Sequence, residues 1–280
     1  MSNTATVLAF DFGASSGRAI RAVYDGQNLN YEEIHRFENI PIEKDGHLCW
    51  DVETLLKEIH TAIQKAGTFD SLGFDTWGVD FGLLDTDGHL LANPVHYRDA
   101  RTNGKPEQAA ARMPAEELYA HTGNQIMAIN TLFQLLALRE QDPELLQKAA
   151  QILFMPDLFA ALLGAEPVCE RSIASTSQML DPRTGQWSRE VLAAYGLNEN
   201  HFASLVASGT VTGTLTTGAK IIAVAGHDTQ CASAAMPCAE EDAEHTAFLS
   251  CGTWSLLGTE LDTPILTADS CQSGLSNELG

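Results

Sequence analysis

The opening of the chain is its strongest constraint on fold. Val7-Leu8-Ala9-Phe10 suits a buried strand, Asp11-Phe12-Gly13-Ala14-Ser15-Ser16-Gly17 follows as a small-residue turn, and residues 18–24 resume as a strand. Asp25-Gly26, Asp45-Gly46 and Asp87-Gly88 are hairpin-turn signals, and residues 29–37 read as the next strand. The molecule therefore begins as an antiparallel meander with a carboxylate at the end of its first strand. The pattern returns far along the chain, where Ala247-Phe248-Leu249-Ser250-Cys251-Gly252-Thr253 echoes residues 9–15. Each copy is an apolar strand running into a turn of Gly and small or hydroxyl residues. A fold of two related lobes would produce such an echo.

Helical patterns follow the meander. Asp51 can cap a helix through residue 65, with Val52, Leu55, Leu56, Ile59 and Ile63 on one face. Strands are expected over 69–75 and 79–84. Residues 102–163 read as mostly helical, broken at Pro114, Pro143 and Pro156. Short strands are expected near 168–180, a buried strand over 221–225 and a short helix over 229–235. The mixture predicts an α/β architecture with an antiparallel edge. The acidic, polar stretch between Pro237 and His245 reads as a linker. Residues 1–237 then form one domain, and the 43 residues after it are too few for a second.

Charge narrows the partners. Of 280 residues, 16 are Lys or Arg and 37 are Asp or Glu, giving a net charge of −21. Such a surface repels phosphate backbones and anionic lipid, which argues against nucleic acid and membrane surfaces. No apolar run approaches the roughly 20 residues of a membrane helix, and the first residues do not resemble a secretory signal. Six cysteines without a CxxC pair suit reduced thiols in the cytoplasm. Residues 221–280 contain no Lys or Arg but nine acids. A phosphate bound there needs backbone N–H groups, a metal ion or a cation from elsewhere.

Four motifs can carry chemistry. Asp11-Phe12-Gly13-Ala14-Ser15-Ser16-Gly17-Arg18 suits a phosphate loop with a metal-holding Asp, or equally a tight hairpin. Asp75-Thr76-Trp77-Gly78-Val79-Asp80 combines carboxylates, an aromatic face and a Gly, as a sugar site does; a Trp packed at a strand corner reads the same way. Gly226-His227-Asp228-Thr229 sits at a strand–helix junction, where Asp228 can act as a weak general base, while Asp228 or Thr229 as a plain N-cap is the alternative. Ser250-Cys251-Gly252-Thr253-Trp254-Ser255 could grip phosphates from the opposite side. Nothing local marks Cys251 as an activated nucleophile. There is no GxSxG, and His227 and Asp228 have no Ser partner.

In order and spacing these motifs resemble the FGGY carbohydrate kinases, of the actin, hexokinase and heat-shock ATPase superfold (ribonuclease H-like). Gly13-Ala14-Ser15-Ser16-Gly17-Arg18, Thr76-Trp77-Gly78-Val79-Asp80-Phe81, Tyr97-Arg98-Asp99-Ala100-Arg101-Thr102, Asn130-Thr131-Leu132, Met155-Pro156-Asp157, Gly226-His227-Asp228-Thr229 and Gly252-Thr253-Trp254-Ser255 look most like the members that phosphorylate L-rhamnulose. The resemblance implies transfer of the ATP γ-phosphoryl to the 1-hydroxyl of that ketose, with Mg²⁺. It makes Asp228 the proton acceptor and places Gly78, His227, Asp228 and Thr229 at the sugar. Ala14, Ser15, Ser16, Gly17 and Arg18 become the first phosphate loop, Thr253 part of the second, and Asp11 the group that orients Mg²⁺ through water. Cys251 departs from the small hydroxyl residue expected there.

The resemblance further implies that residues 1–237 are the sugar-binding lobe and 238–280 a linker with the start of the second lobe, which holds the adenine. The expectation is a chain cut short, weak or inactive alone and prone to self-association through an exposed sheet edge, but a monomer when full length. Competing readings are a kinase of another ketose such as L-fuculose or D-xylulose, and a non-catalytic sugar-binding protein on the same superfold. No basic helix–turn–helix supports the latter. An actin-like or chaperone ATPase has no need of the Trp77–Asp80 cluster.

Overall fold

The computed structural model describes residues 4–239, 242, 245–252 and 255–279. Its centre is a six-stranded sheet. β1 (Ala5–Phe12), β2 (Ser16–Tyr24) and β3 (Leu29–Glu38) form the expected antiparallel meander. β4 (Ser71–Thr76) lies parallel to β1, with Asp11 opposite Asp75. β5 (Thr210–Thr214) and β6 (Lys220–Ala223) complete it, β6 pairing parallel with β4 and antiparallel with β5. The order across the sheet is β5, β6, β4, β1, β2, β3.

Alternation along β1 builds the core. Leu8, Phe10 and Phe12 point to one face and are fully buried. Phe12 stacks on Phe159 at 4.8 Å between ring centroids, and Phe10 on Phe74 at 4.9 Å. Phe159 belongs to α2 (Met155–Leu162), whose buried residues cover that face. The helix α1 (Val52–Ala66) begins where its cap was expected: Thr54 N–H donates to the Asp51 carboxylate at 3.2 Å. It buries Val52, Leu55 and Ile59, while Leu56 and Ile63 are half-buried.

The structure corrects several expected elements. Residues Gln151–Phe154 form a strand antiparallel to Phe81–Leu84, inside the stretch read as helical. A short apolar run serves a buried strand and a helix equally well, so periodicity cannot separate them. Of the stretch 168–180, Val168–Glu170 and Leu180–Asp181 are the expected short strands, while Arg171–Ser175 between them is a helix, because the Glu170 carboxylate caps it. The strand expected from Val79 begins only at Phe81, since Val79 itself has φ 68. Pro143 and Pro156 lie in the first turns of their helices and Pro114 stands just before one. There the missing N–H costs nothing, and the prolines start helices rather than interrupt them.

Beyond the sheet, Ala247–Cys251 and Ser255–Thr259 pair as a separate hairpin, with Leu249 and Leu257 64% and 76% exposed. The chain then returns to the body. Ser276 Oγ accepts the Gln125 N–H at 3.0 Å, Gly123 O accepts the Asn277 N–H at 2.8 Å, and Ser175 Oγ accepts the Leu279 N–H at 3.1 Å. All six cysteines are free thiols. Among the described residues, no helix is long and apolar enough to cross a membrane.

Gly17 shows how tightly the meander is packed. A Cβ there would lie 2.3 Å from Phe37 Cζ. Gly17→Ala is expected to cost about 1–3 kcal/mol by overpacking. Urea unfolding should show a lower midpoint at unchanged slope.

Candidate active site

The C-terminal ends of β1 and β4 and the start of α3 (Asp228–Ala234) converge on one cavity of about 400 Å³. Loops at the carboxyl ends of parallel strands are where α/β sheets bind ligands. Ala14, Arg18, Gly78, His227, Asp228 and Thr229 all line it. The sequence motifs are therefore brought together across some 215 residues of chain, from Ala14 to Thr229.

Asp228 is not the helix cap that local reasoning favoured. His227 occupies the cap position without a side-chain hydrogen bond to the helix, and Asp228 is the first helical residue. Its carboxylate is left facing the cavity, 41% exposed, and accepts one hydrogen bond at 3.2 Å from Thr229 Oγ1. Burial raises its pKa, and His227 opposes that rise. A more basic carboxylate is a better proton acceptor.

Three carboxylates influence one another electrostatically here. The β1–β4 register sets Asp11 beside Asp75, and both act electrostatically on Asp228's surroundings. Burial, reinforced by the Asp11 and Asp228 charges, pushes Asp75 well above the ordinary carboxylate range. The oxygens of the three do not converge: among the described residues, the group of acids and histidine close enough to share one ion is Asp85, Asp87 and His89, so a Mg²⁺ ion near Asp11 would need water or phosphate oxygens as further ligands. Asp75 was read from sequence only as a hydroxyl acceptor. Its placement beside Asp11 depends on strand register, for which the sequence carries no local signal. Arg18 partly compensates the cluster: its Nε and Nη2 reach Asp11 Oδ2 at 2.8 and 2.5 Å.

The turn after β1 is closed by Gly13 N–H donating to Ser16 O at 2.9 Å, and Asn39 anchors it through Gly13 O and Ser15 O. Ala14 and Arg18 face the cavity. Ser15 is exposed, Ser16 half-buried, and Gly17 is buried against Phe37, so these three do not line it. Thr253 lies outside the described residues; its neighbours Cys251 and Gly252 are at the cavity wall.

Gly78 allows a close approach. A Cβ there would stand 3.2 Å from Thr176 Oγ1 and 3.3 Å from His227 Nε2. Asp80 takes the structural reading, while Trp77 packs on Trp50 and also lines the cavity. Asp80 is 1% exposed and accepts from Trp50 Nε1 at 2.6 Å, Trp77 Nε1 at 3.0 Å, Gln134 Nε2 at 2.8 Å and the Tyr97 N–H at 3.1 Å. Burial lifts its pKa to about 6 against those four donors. Asp80 therefore braces the cavity wall and does not line it. Asp157 of the Met155-Pro156-Asp157 motif is likewise buried, accepting the Glu170 N–H.

Sequence reasoning missed Glu278. Its Oε2 lies 2.7 Å from His227 Nδ1 and accepts from Gln230 Nε2 at 3.0 Å. Burial alone would lower the His227 pKa, but Glu278, Asp228 and Asp75 outweigh it and hold the ring at about 9. A contact spanning 51 residues leaves no trace in local sequence.

Residues 6–234 match the N-terminal domain of the FGGY family of carbohydrate kinases. A rhamnulokinase of Bacteroides thetaiotaomicron is 42% identical over 98% of this chain, which spans 58% of that relative's length. In fold, a carbohydrate kinase from Novosphingobium aromaticivorans superimposes with a TM-score of 0.75 at 22% identity, over 96% of this chain and 58% of its own. A ligand-bound xylulose kinase from Lactobacillus acidophilus gives 0.70 at 17% identity, over 81% and 49%.

The His227–Glu278 pair has a pH signature. The raised His227 pKa contributes stability that is complete below its ordinary value of 6.5 and is lost as pH rises through about 9. The lowered Glu278 pKa contributes stability present above its ordinary 4.5 and lost as pH falls through its native value. NMR titration should find His227 still protonated at neutral pH. In Glu278→Gln the His227 pKa should drop, with a stability loss largest between these limits and smaller at alkaline pH.

Proposed function

The chain belongs to the FGGY family of carbohydrate kinases, and from that premise we propose that it carries the sugar site and catalytic base of an ATP-dependent rhamnulokinase. The substrate is L-rhamnulose, phosphorylated at its 1-hydroxyl, and the products are L-rhamnulose 1-phosphate and ADP. The observation that carries this reading is Asp228: a carboxylate freed from capping, made more basic by burial, and directed into a cavity that Gly78 and Thr229 also line.

In this reading Asp228 accepts the hydroxyl proton as the sugar oxygen bonds to the γ-phosphorus and the bond to ADP breaks. Little proton abstraction is needed early in a loose phosphoryl transfer, so positioning dominates. Gly78, His227 and Thr229 contact the sugar, and a charged His227 supplies a fixed donor. In the phosphate loops, Ala14 and Arg18 meet the ATP phosphates at the cavity wall, with Ser15, Ser16 and Gly17 behind them in the same turn and Thr253 in the second loop. Asp11 would orient Mg²⁺ through water, and the ion when bound supplies charge neutralisation for the phosphates. Residues 1–237 act as the sugar lobe. The free thiols and acidic surface suit a protein of the cytoplasm that binds a neutral sugar rather than nucleic acid or membrane.

The test is calorimetric titration of the chain with L-rhamnulose, L-fuculose and D-xylulose, alongside ADP release in the presence of ATP and Mg²⁺. Selective heat with L-rhamnulose is expected. Asp228→Asn should keep sugar affinity within several-fold while phosphoryl transfer falls about 10²–10⁴-fold. Heat with none of the three ketoses would overturn the reading; selective heat with another would move the substrate within the family.

A further inference from the structure

One wall of the cavity comes from residues 123–130, which follow the helix Ala115–Thr122. This loop is unusually well held. Gln178, itself fully buried, donates through Nε2 to Thr122 Oγ1 at 2.8 Å and to Asn124 O at 3.0 Å. Its Oε1 accepts from Asn130 Nδ2 at 2.6 Å. Asn277 holds the same loop from outside, through its N–H and Nδ2 on Gly123 O at 2.8 and 3.1 Å. The backbone of Asn124 is thus fixed from two sides.

Its side chain is not. Asn124 is only 3% exposed and lines the cavity, yet its Oδ1 has no hydrogen-bond partner, and no hydrogen bond among the described residues engages its amide. Buried amides are nearly always paired, and leaving one unpaired costs stability. Neighbouring polar groups do find partners: Asn130 bonds Gln125 O and Gln178, and Thr176 Oγ1 bonds Ile173 O and the Val79 N–H. The fold satisfies the amides around Asn124 and leaves the oxygen of this one unpaired and covered just behind the cavity wall.

We propose that Asn124 is a specificity-determining sugar-binding residue, whose side-chain amide pairs with vicinal hydroxyls of the ketose beyond the carbon that receives the phosphoryl group. This rests on the sugar-kinase reading above. An amide places an acceptor and a donor side by side, and a vicinal diol offers the matching donor and acceptor. An epimer or deoxy sugar leaves the amide unpaired, which is how a hydrogen-bonding site rejects a near-substrate. The aromatic Trp77 and Tyr97 at the same cavity suit the apolar face of the sugar.

The experiment is calorimetric titration of the chain and of Asn124→Leu with L-rhamnulose and its 3-, 4- and 5-deoxy analogues. Fold is checked by near-ultraviolet circular dichroism. L-rhamnulose should bind Asn124→Leu about 10- to 100-fold more weakly. At least one deoxy analogue should bind the unaltered chain weakly and lose nothing further in the variant, because the paired hydroxyl is already gone. Equal affinity of the two proteins for L-rhamnulose would overturn the inference and leave the kinase reading standing. So would a loss of the same size for L-rhamnulose and every deoxy analogue, which marks a merely structural change. No binding of any ketose by the unaltered chain would overturn both. Should Asn124→Leu fail to fold, Asn124→Ala is read by the same comparison.

Discussion

A single buried carboxylate joins the pieces that make the cavity. Glu170 is 1% exposed and accepts from the Ser172 N–H, Ser172 Oγ, the Ile173 N–H, Ser208 Oγ and the Gly226 N–H, all between 2.6 and 3.2 Å. Its own N–H is taken by Asp157. The result is that the helix Arg171–Ser175, the segment before β5 and the turn before Asp228 hang from one group. Charge-assisted hydrogen bonds of this kind are stronger than neutral ones, and breaking a buried set leaves an uncompensated charge. The placement of Asp228 at the cavity depends on Gly226, and Gly226 on Glu170. A Cβ at Gly226 would lie 2.9 Å from Pro156, so the turn is also held by steric contact from behind.

Backbone strain is concentrated around the same cavity. Val79 and Gln178 both have φ near +65°, a conformation unfavourable for any side chain and especially for a β-branched one. Each is held there by partners. Val79 N–H donates to Thr176 Oγ1 at 3.1 Å, and Val79 O accepts from Thr131 Oγ1 at 2.7 Å. Gln178 is fixed through both ends of its side-chain amide. Strain persists only where the surroundings over-determine it, and here it is used to aim Gly78 and the Asn124 loop. The third such residue, Asp45, belongs to an Asp-Gly hairpin turn and needs no such explanation.

Much of the framework was legible because it is written in local pattern. The alternation of Leu8, Phe10 and Phe12, the Asp-Gly turns and the Asp51 cap each have a short-range physical cause, and each is found where expected. The motif from Gly226 to Thr229 was placed rightly at a strand–helix junction, although its cap assignment was not. What failed had a different cause. Gln151–Phe154 is a strand because Phe81–Leu84 offers it a ladder, and Arg171–Ser175 is a helix because Glu170 caps it. Asp80 looked like a sugar ligand from composition, yet Trp50 and Gln134, distant in sequence, take up its oxygens.

The sequence by itself determined the meander, the carboxylate at the end of its first strand, the order of the motifs and hence the family. These follow from side-chain periodicity and turn chemistry, which act over a few residues. Tertiary structure alone decided which of those residues face the cavity. Strand register set Asp75 beside Asp11, the helix start released Asp228 from capping, Phe37 claimed Gly17, and Glu278 came back 51 residues later to charge His227. Each is a long-range contact whose energy exists only once the sheet has brought distant segments together.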